Sequence, residues 1–263
     1  MSLTLGTGPF AGSDAGAVNF AWDGAPAHRI LFEPYGRRLR AVVNGHTILD
    51  STAAHLLHET GIPPVAYVPV GDLDDGLLER TPTSTHCPFK GDASYWTLRA
   101  GDRTVEDFVW AYEEPLPEAA WLEGFAALYW KQVDELYVED ERALGSVRDP
   151  YHRVDVLESS RHVTVSVDGS IIAESSHPKL VFETGLAPRA YVPPTVLPPG
   201  SLVRSETRTL CPYKGEATYW HLQLPSGLRL EDAAWSYETP LPEALKAQGH
   251  LGFGDAVEID ISG

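Results

Sequence analysis

The sequence predicts a mainly β protein built from two tandem domains of one fold, each with a single short helix. Three observations carry this. The chain repeats itself almost end to end, as Cys87 and Cys211 in "THCPFKGDASYWTL" and "TLCPYKGEATYWHL" show at once. Apolar and polar side chains alternate at matching places in both copies. The one segment of the first copy that could run on as a long helix, "WLEGFAALYWKQVDELYV", meets a second copy, "LKAQGHLGFGDAVEIDISG", whose glycines break any helix.

The repeat sets the domain boundaries. "VVNGHTILDS" matches "SVDGSIIAES", "HETGIPPVAYVP" matches "FETGLAPRAYVP", and "VWAYEEPLPEA" matches "AWSYETPLPEA". We therefore expect a flexible Gly/Ala-rich tail over residues 1–23, a first repeat over 24–142, a linker over 143–150 and a second repeat over 151–263. A period this long marks a duplicated domain, since solenoid repeats run to only a few tens of residues.

Taken in order, each unit opens with a hairpin. Leu39, Ala41 and Val43 share one face of the first strand, and Val163, Val165 and Val167 repeat the pattern. Asn44-Gly45 and Asp168-Gly169 supply the dipeptides that a two-residue type I′ turn requires, because both central residues need positive φ. A strand through Tyr67 and a polar loop over Gly71 to Gly76 follow. "CPFKG" then has the composition of a tight turn, with Pro88 early and Gly91 free to take the left-handed conformation. In the strand after it, Ser94, Trp96 and Leu98 share one face, and Ala93, Tyr95 and Thr97 the other. Pro117 and Glu118 in "PLPEA" mark a helix start, and a last strand closes the unit.

Composition narrows the function classes. The 20 basic and 37 acidic side chains give a net charge of −17, which repels polyanions and argues against nucleic-acid and anionic-membrane partners. No apolar run is long enough to span a bilayer and the first residues lack signal-peptide character, so we expect a cytoplasmic protein. Two cysteines, one per copy, argue against a disulfide framework and a four-cysteine zinc site, and no cofactor or metal is expected. No Gly-rich phosphate loop, nucleophile elbow or zinc-protease helix is present.

The candidate site residues are those written twice. Tyr67, Tyr95, Trp96, Trp110 and Tyr112 recur as Tyr191, Tyr219, Trp220, Trp235 and Tyr237, and Lys90 recurs as Lys214. Tyr and Trp join a large apolar face to one polar atom, so a converging set can line a small-molecule pocket in each repeat; they can equally fill a β core. Glu59/Glu183, His28/His152 and Arg29/Arg153 recur as well. Cys87 with Lys90 and His86 forms a rival candidate, a thiol nucleophile whose pKa the lysine lowers. Against it, His86 and Cys87 are neighbours that point to opposite faces of an extended strand, and the second copy has Leu210 in place of His86.

The ordered set "NGHTILDS", "ETGIPPVAYVP", "THCPFKGDASYW" and "WAYEEPLPEA" resembles the bacterial and fungal family known as domain of unknown function 427, over both halves of the chain. That resemblance implies a β-tent, two antiparallel sheets leaning together, whose relatives use the cleft between sheets as an aromatic-walled pocket. Carried over, the pocket would involve Trp96, Trp110 and Tyr112, and Trp220, Trp235 and Tyr237 in the second unit. The zinc knuckles of some relatives have no counterpart here. A nucleotidyltransferase-like label attached to the family finds little support, because the single Asp-x-Asp, Asp72 to Asp74, follows no suitable Gly-Ser turn and the second copy has no acids there. The leading expectation is therefore a binding protein whose two units pack as an intramolecular pseudo-dimer. A thiol-dependent enzyme and a plain scaffold are the alternatives.

Overall fold

The computed structural model describes residues 3–6, 8, 10, 11 and 27–263. The chain divides into two compact units, Met1–Asp149 and Pro150–Gly263. Most of the expected tail, 1–23, lies outside the described residues; of those described there, Thr4 is buried and its hydroxyl donates to the Ile62 carbonyl at 3.0 Å. The division falls at the end of the expected linker. Val147 packs on the first core and Asp149 is buried, so these residues belong physically to the first unit.

Both units are mainly β and antiparallel. The first holds a seven-stranded sheet in the spatial order Ile30–Pro34, His55–Glu59, Ile62–Pro69, Phe125–Leu128, Arg103–Ala111, Gly91–Ala100, Leu78–Cys87. A four-stranded sheet runs Glu141–Ala143, Glu135–Val138, Leu39–Val43, His46–Ser51. One core lies between these sheets: Leu39, Ala41, Val43 and Leu49 of the smaller meet Leu56, Val68, Leu98 and Phe108 of the larger. The other face of the large sheet carries a second cluster of Leu57, Tyr67, Ala93, Tyr95 and Tyr112, covered by Ala119 and Leu122.

The second unit keeps the plan but divides the large sheet. Val154–Glu158, Lys179–Glu183 and Arg189–Tyr191 form one piece, and Leu202–Cys211, Gly215–Gln223, Arg229–Tyr237 and Gly252–Phe253 the other. The isolated bridge between Val192 and Leu251 links them. Ser170–Ser175, His162–Val167 and Glu258–Ser262 make the small sheet.

The local expectations hold where backbone chemistry is strict. Asn44 and Gly45 sit at φ 50° and 76°, Asp168 and Gly169 at 50° and 73°, as a type I′ turn demands. The helix at "PLPEA" forms in both units as six residues of 3₁₀ helix, Pro117–Leu122 and Pro242–Ala247. Each is followed within two residues by a positive-φ glycine, Gly124 or Gly249, that turns the chain into the next strand. An opening strand before the hairpin, Ile30–Pro34 or Val154–Glu158, was not foreseen, since "ILFEP" alternates poorly and owes its conformation to pairing with His55–Glu59. No helix among the described residues is long and apolar enough to cross a membrane.

Candidate functional site

The doubled motif builds a buried corner in each unit. Gly91, at φ +104°, brings the turn against the segment before the 3₁₀ helix, where the Leu116 amide donates to the Lys90 carbonyl at 3.0 Å. An added Cβ would lie 3.3 Å from the Leu116 nitrogen, so the position needs glycine for its conformation and for closeness. Gly215 repeats this at +105°, with Leu241 donating to the Lys214 carbonyl.

So fixed, the Lys90 side chain turns inward and its ammonium pairs with Glu59 from the strand His55–Glu59; both are buried. His28 approaches the other carboxylate oxygen at 2.9 Å and stacks on Phe89 at 3.7 Å. Lys214, Glu183, His152 and Tyr213 form the same arrangement in the second unit. There burial by itself would raise the Glu183 carboxyl, but the nearby His152 imidazole, at 3.5 Å, and the Lys214 charge prevail and hold it at about 2.

The tyrosines enclose this corner. Lys90 Nζ lies 5.9 Å from the Tyr112 ring centroid. Trp110 meets Tyr67 edge-on at 6.4 Å, and Trp235 meets Tyr191 likewise, donating its indole N–H to the phenol oxygen at 2.9 Å. Burial pushes the phenols of Tyr67, Tyr112, Tyr191 and Tyr237 upward, so all four stay neutral at ordinary pH. The Tyr95 and Tyr219 hydroxyls pair with Thr85 and Thr209 at 2.8 and 3.2 Å. These contacts make a packed lock.

The thiols border the same clusters, half-buried and not joined in a disulfide. Both expected activators have carboxylate partners of their own. His86 is exposed and bonds Asp92 at 2.7 Å, while Lys90 is engaged with Glu59.

Trp96 lies apart from the other candidates. Period-two alternation sends it to the opposite face from Tyr95, where it packs on the core between the sheets, as Trp220 does in the second unit. The aromatic set therefore does not converge on one pocket: Tyr67, Tyr95, Trp110 and Tyr112 stay on the corner side. Arg80 caps the Trp96 ring at 5.7 Å and is held by Glu113; Arg204, Trp220 and Glu238 repeat that contact at 5.4 Å.

Beside Trp96 the first unit opens a cleft of about 170 Å³. Val109, Ala111 and Ala126 line it from the large sheet, Leu78 from the start of that sheet's strand Leu78–Cys87, and Val70, Leu73 and Asp75 from the loop that joins Ile62–Pro69 to that strand. These residues were missed, with Trp96 alone among the candidates. Small and aliphatic side chains carry no chemical signature, and the signal that could have found them is where the copies differ: "VGDLDDGLL" against "PTVLPPGSL". Among the described residues, no group of three His, Cys, Asp or Glu side chains is placed to hold a metal ion.

The family model described as "Domain of unknown function (DUF427)" matches residues 31–139 and again 155–262, one match in each compact unit. No curated protein sequence matches the chain.

Proposed function

We propose, for a chain that belongs to the DUF427 family in both of its halves, that it is a binding protein which takes a small, mostly apolar molecule in the cleft beside Trp96. The single observation that carries this is the cleft itself, about 170 Å³ and lined by aliphatic side chains, one indole and the single carboxylate of Asp75. A dry apolar cavity of about 150 Å³ holds one benzene, so the space suits a single-ring ligand rather than a nucleotide or a coenzyme. The proposal narrows the expectation from one aromatic cage per repeat to one aliphatic cleft with a single Trp wall. The core between two sheets in the first unit favours the tent-like reading of the fold.

The test is a set of one-ring fragments observed by saturation-transfer NMR against the wild-type chain and Trp96→Ala. Binding lost in the variant supports the reading. Binding that persists places the site elsewhere and overturns it.

A further inference from the structure

Of the three acids in the loop "GDLDDG", two have structural employment. Asp72 accepts from the Ser51 hydroxyl at 2.5 Å, and Asp74 accepts from the Gly76 amide at 3.2 Å in a one-turn cap. Asp75 differs. It lines the cleft, and among the described residues no hydrogen-bond donor or cation is paired with its carboxylate. It is also the only ionisable side chain among the residues that line the cleft, exposed at the edge of an otherwise apolar space. Arg80, the cation against Trp96, is already neutralised by Glu113 at 2.6 Å.

The second copy supplies a natural contrast. Pro199 stands at the place of Asp75, Leu251 at that of Ala126 and Ser236 at that of Ala111. Ser236 accepts the Trp220 indole N–H at 3.1 Å, whereas among the described residues no acceptor is paired with the Trp96 indole. The first unit thus combines three features the second lacks: a carboxylate, the space left by an alanine, and an uncommitted indole.

We infer that the ligand of this cleft is a one-ring cation, an aryl-methyl ammonium or similar amine, with its ring against Trp96 and its charge against Asp75. This rests on the binding reading above and names its ligand class. A carboxylate at the rim of a low-dielectric cleft favours a cation over its neutral isostere, and the chain's charge of −17 raises the local concentration of cations. Ring and charge are recognised by separate side chains, so they can be tested separately.

The probes are benzylamine and benzyl alcohol, titrated by calorimetry at low salt into the full-length protein, Asp75→Asn and Trp96→Ala. Benzylamine is expected to bind wild type about tenfold more tightly than benzyl alcohol, a difference of about 1.4 kcal/mol. Asp75→Asn should equalise the two by weakening the amine alone. Trp96→Ala should weaken both. If benzyl alcohol binds wild type as well as benzylamine does, and Trp96→Ala removes both, the cleft stands as a binding site and the cation inference falls. A preference for the amine that survives Asp75→Asn also overturns it. If neither probe binds wild type, the binding reading falls and takes the inference with it. Asp75 is exposed and makes no structural bond, so the Asn variant should fold as wild type, which circular dichroism confirms or denies.

Discussion

The Lys90 corner and the Trp96 cleft lie on opposite faces of one sheet, and the second unit treats them differently. It reproduces the corner nearly side chain for side chain: Glu183, Lys214, His152, Tyr191, Tyr237 and Trp235. It does not reproduce the cleft's lining, where Asp75, Ala111 and Ala126 give way to Pro199, Ser236 and Leu251. A feature needed to fold must appear wherever the fold appears. One needed for a single task need appear only once. The doubled chemistry, conspicuous in the sequence, is what the two folds share, and the cleft proposed above lies in the lining that they do not share.

The largest test of this contrast removes half of a buried ion pair. Lys90→Ala leaves the buried Glu59 carboxylate with His28 as its remaining partner and should cost the first unit about 3 kcal/mol, read as a lowered urea midpoint, whereas Lys90→Met with Glu59→Leu should recover most of it. If Lys90→Ala leaves stability unchanged and alters only binding, the corner is a site after all. Acid probes the same corner in the second unit. Glu183 has a folded pKa of about 2 against 4.5 for the free side chain, so its stabilisation is present above pH 4.5 and fades as pH falls toward 2. Glu183→Gln should flatten that part of the pH profile, measured as the urea midpoint between pH 5 and pH 2.

Smaller effects sharpen the difference between copies. Gly252 lies where the first copy has Ala127; a Cβ there would stand 3.0 Å from both Tyr191 and Trp235. Gly252→Ala should therefore cost about 1–3 kcal/mol, whereas Ala127→Gly should cost only about 0.5–1 kcal/mol, measured by the same denaturation. Of similar size, Ser236→Ala should cost about 1 kcal/mol by releasing the Trp220 indole. An unchanged midpoint would mean that water replaces the lost acceptor.

What was legible follows the range of each interaction. The type I′ turns at Asn44-Gly45 and Asp168-Gly169 depend on adjacent residues, and the burial of Leu39, Ala41 and Val43 depends on period two, so both could be read directly. The pairing of Lys90 with Glu59 joins residues far apart in sequence, and only their joint recurrence hinted at it. Grouping Tyr95 with Trp96 in one cage conflicted with the alternation already assigned to that strand, and the alternation prevailed. The cleft was invisible because valines, leucines and alanines look alike in core and in pocket, and only the three-dimensional gap tells them apart.

The paired charges at Glu59 and Lys90 also bear on how such a chain can change over time. A lineage that loses either partner first must pass through a form with an orphaned ion in its interior, so the two positions are expected to be inherited as a unit, and the same constraint binds Glu183 to Lys214. Drift should then collect on the far side of the sheet, around Asp75 and its neighbours, leaving one copy free to explore new ligands while its sibling keeps the shared frame intact.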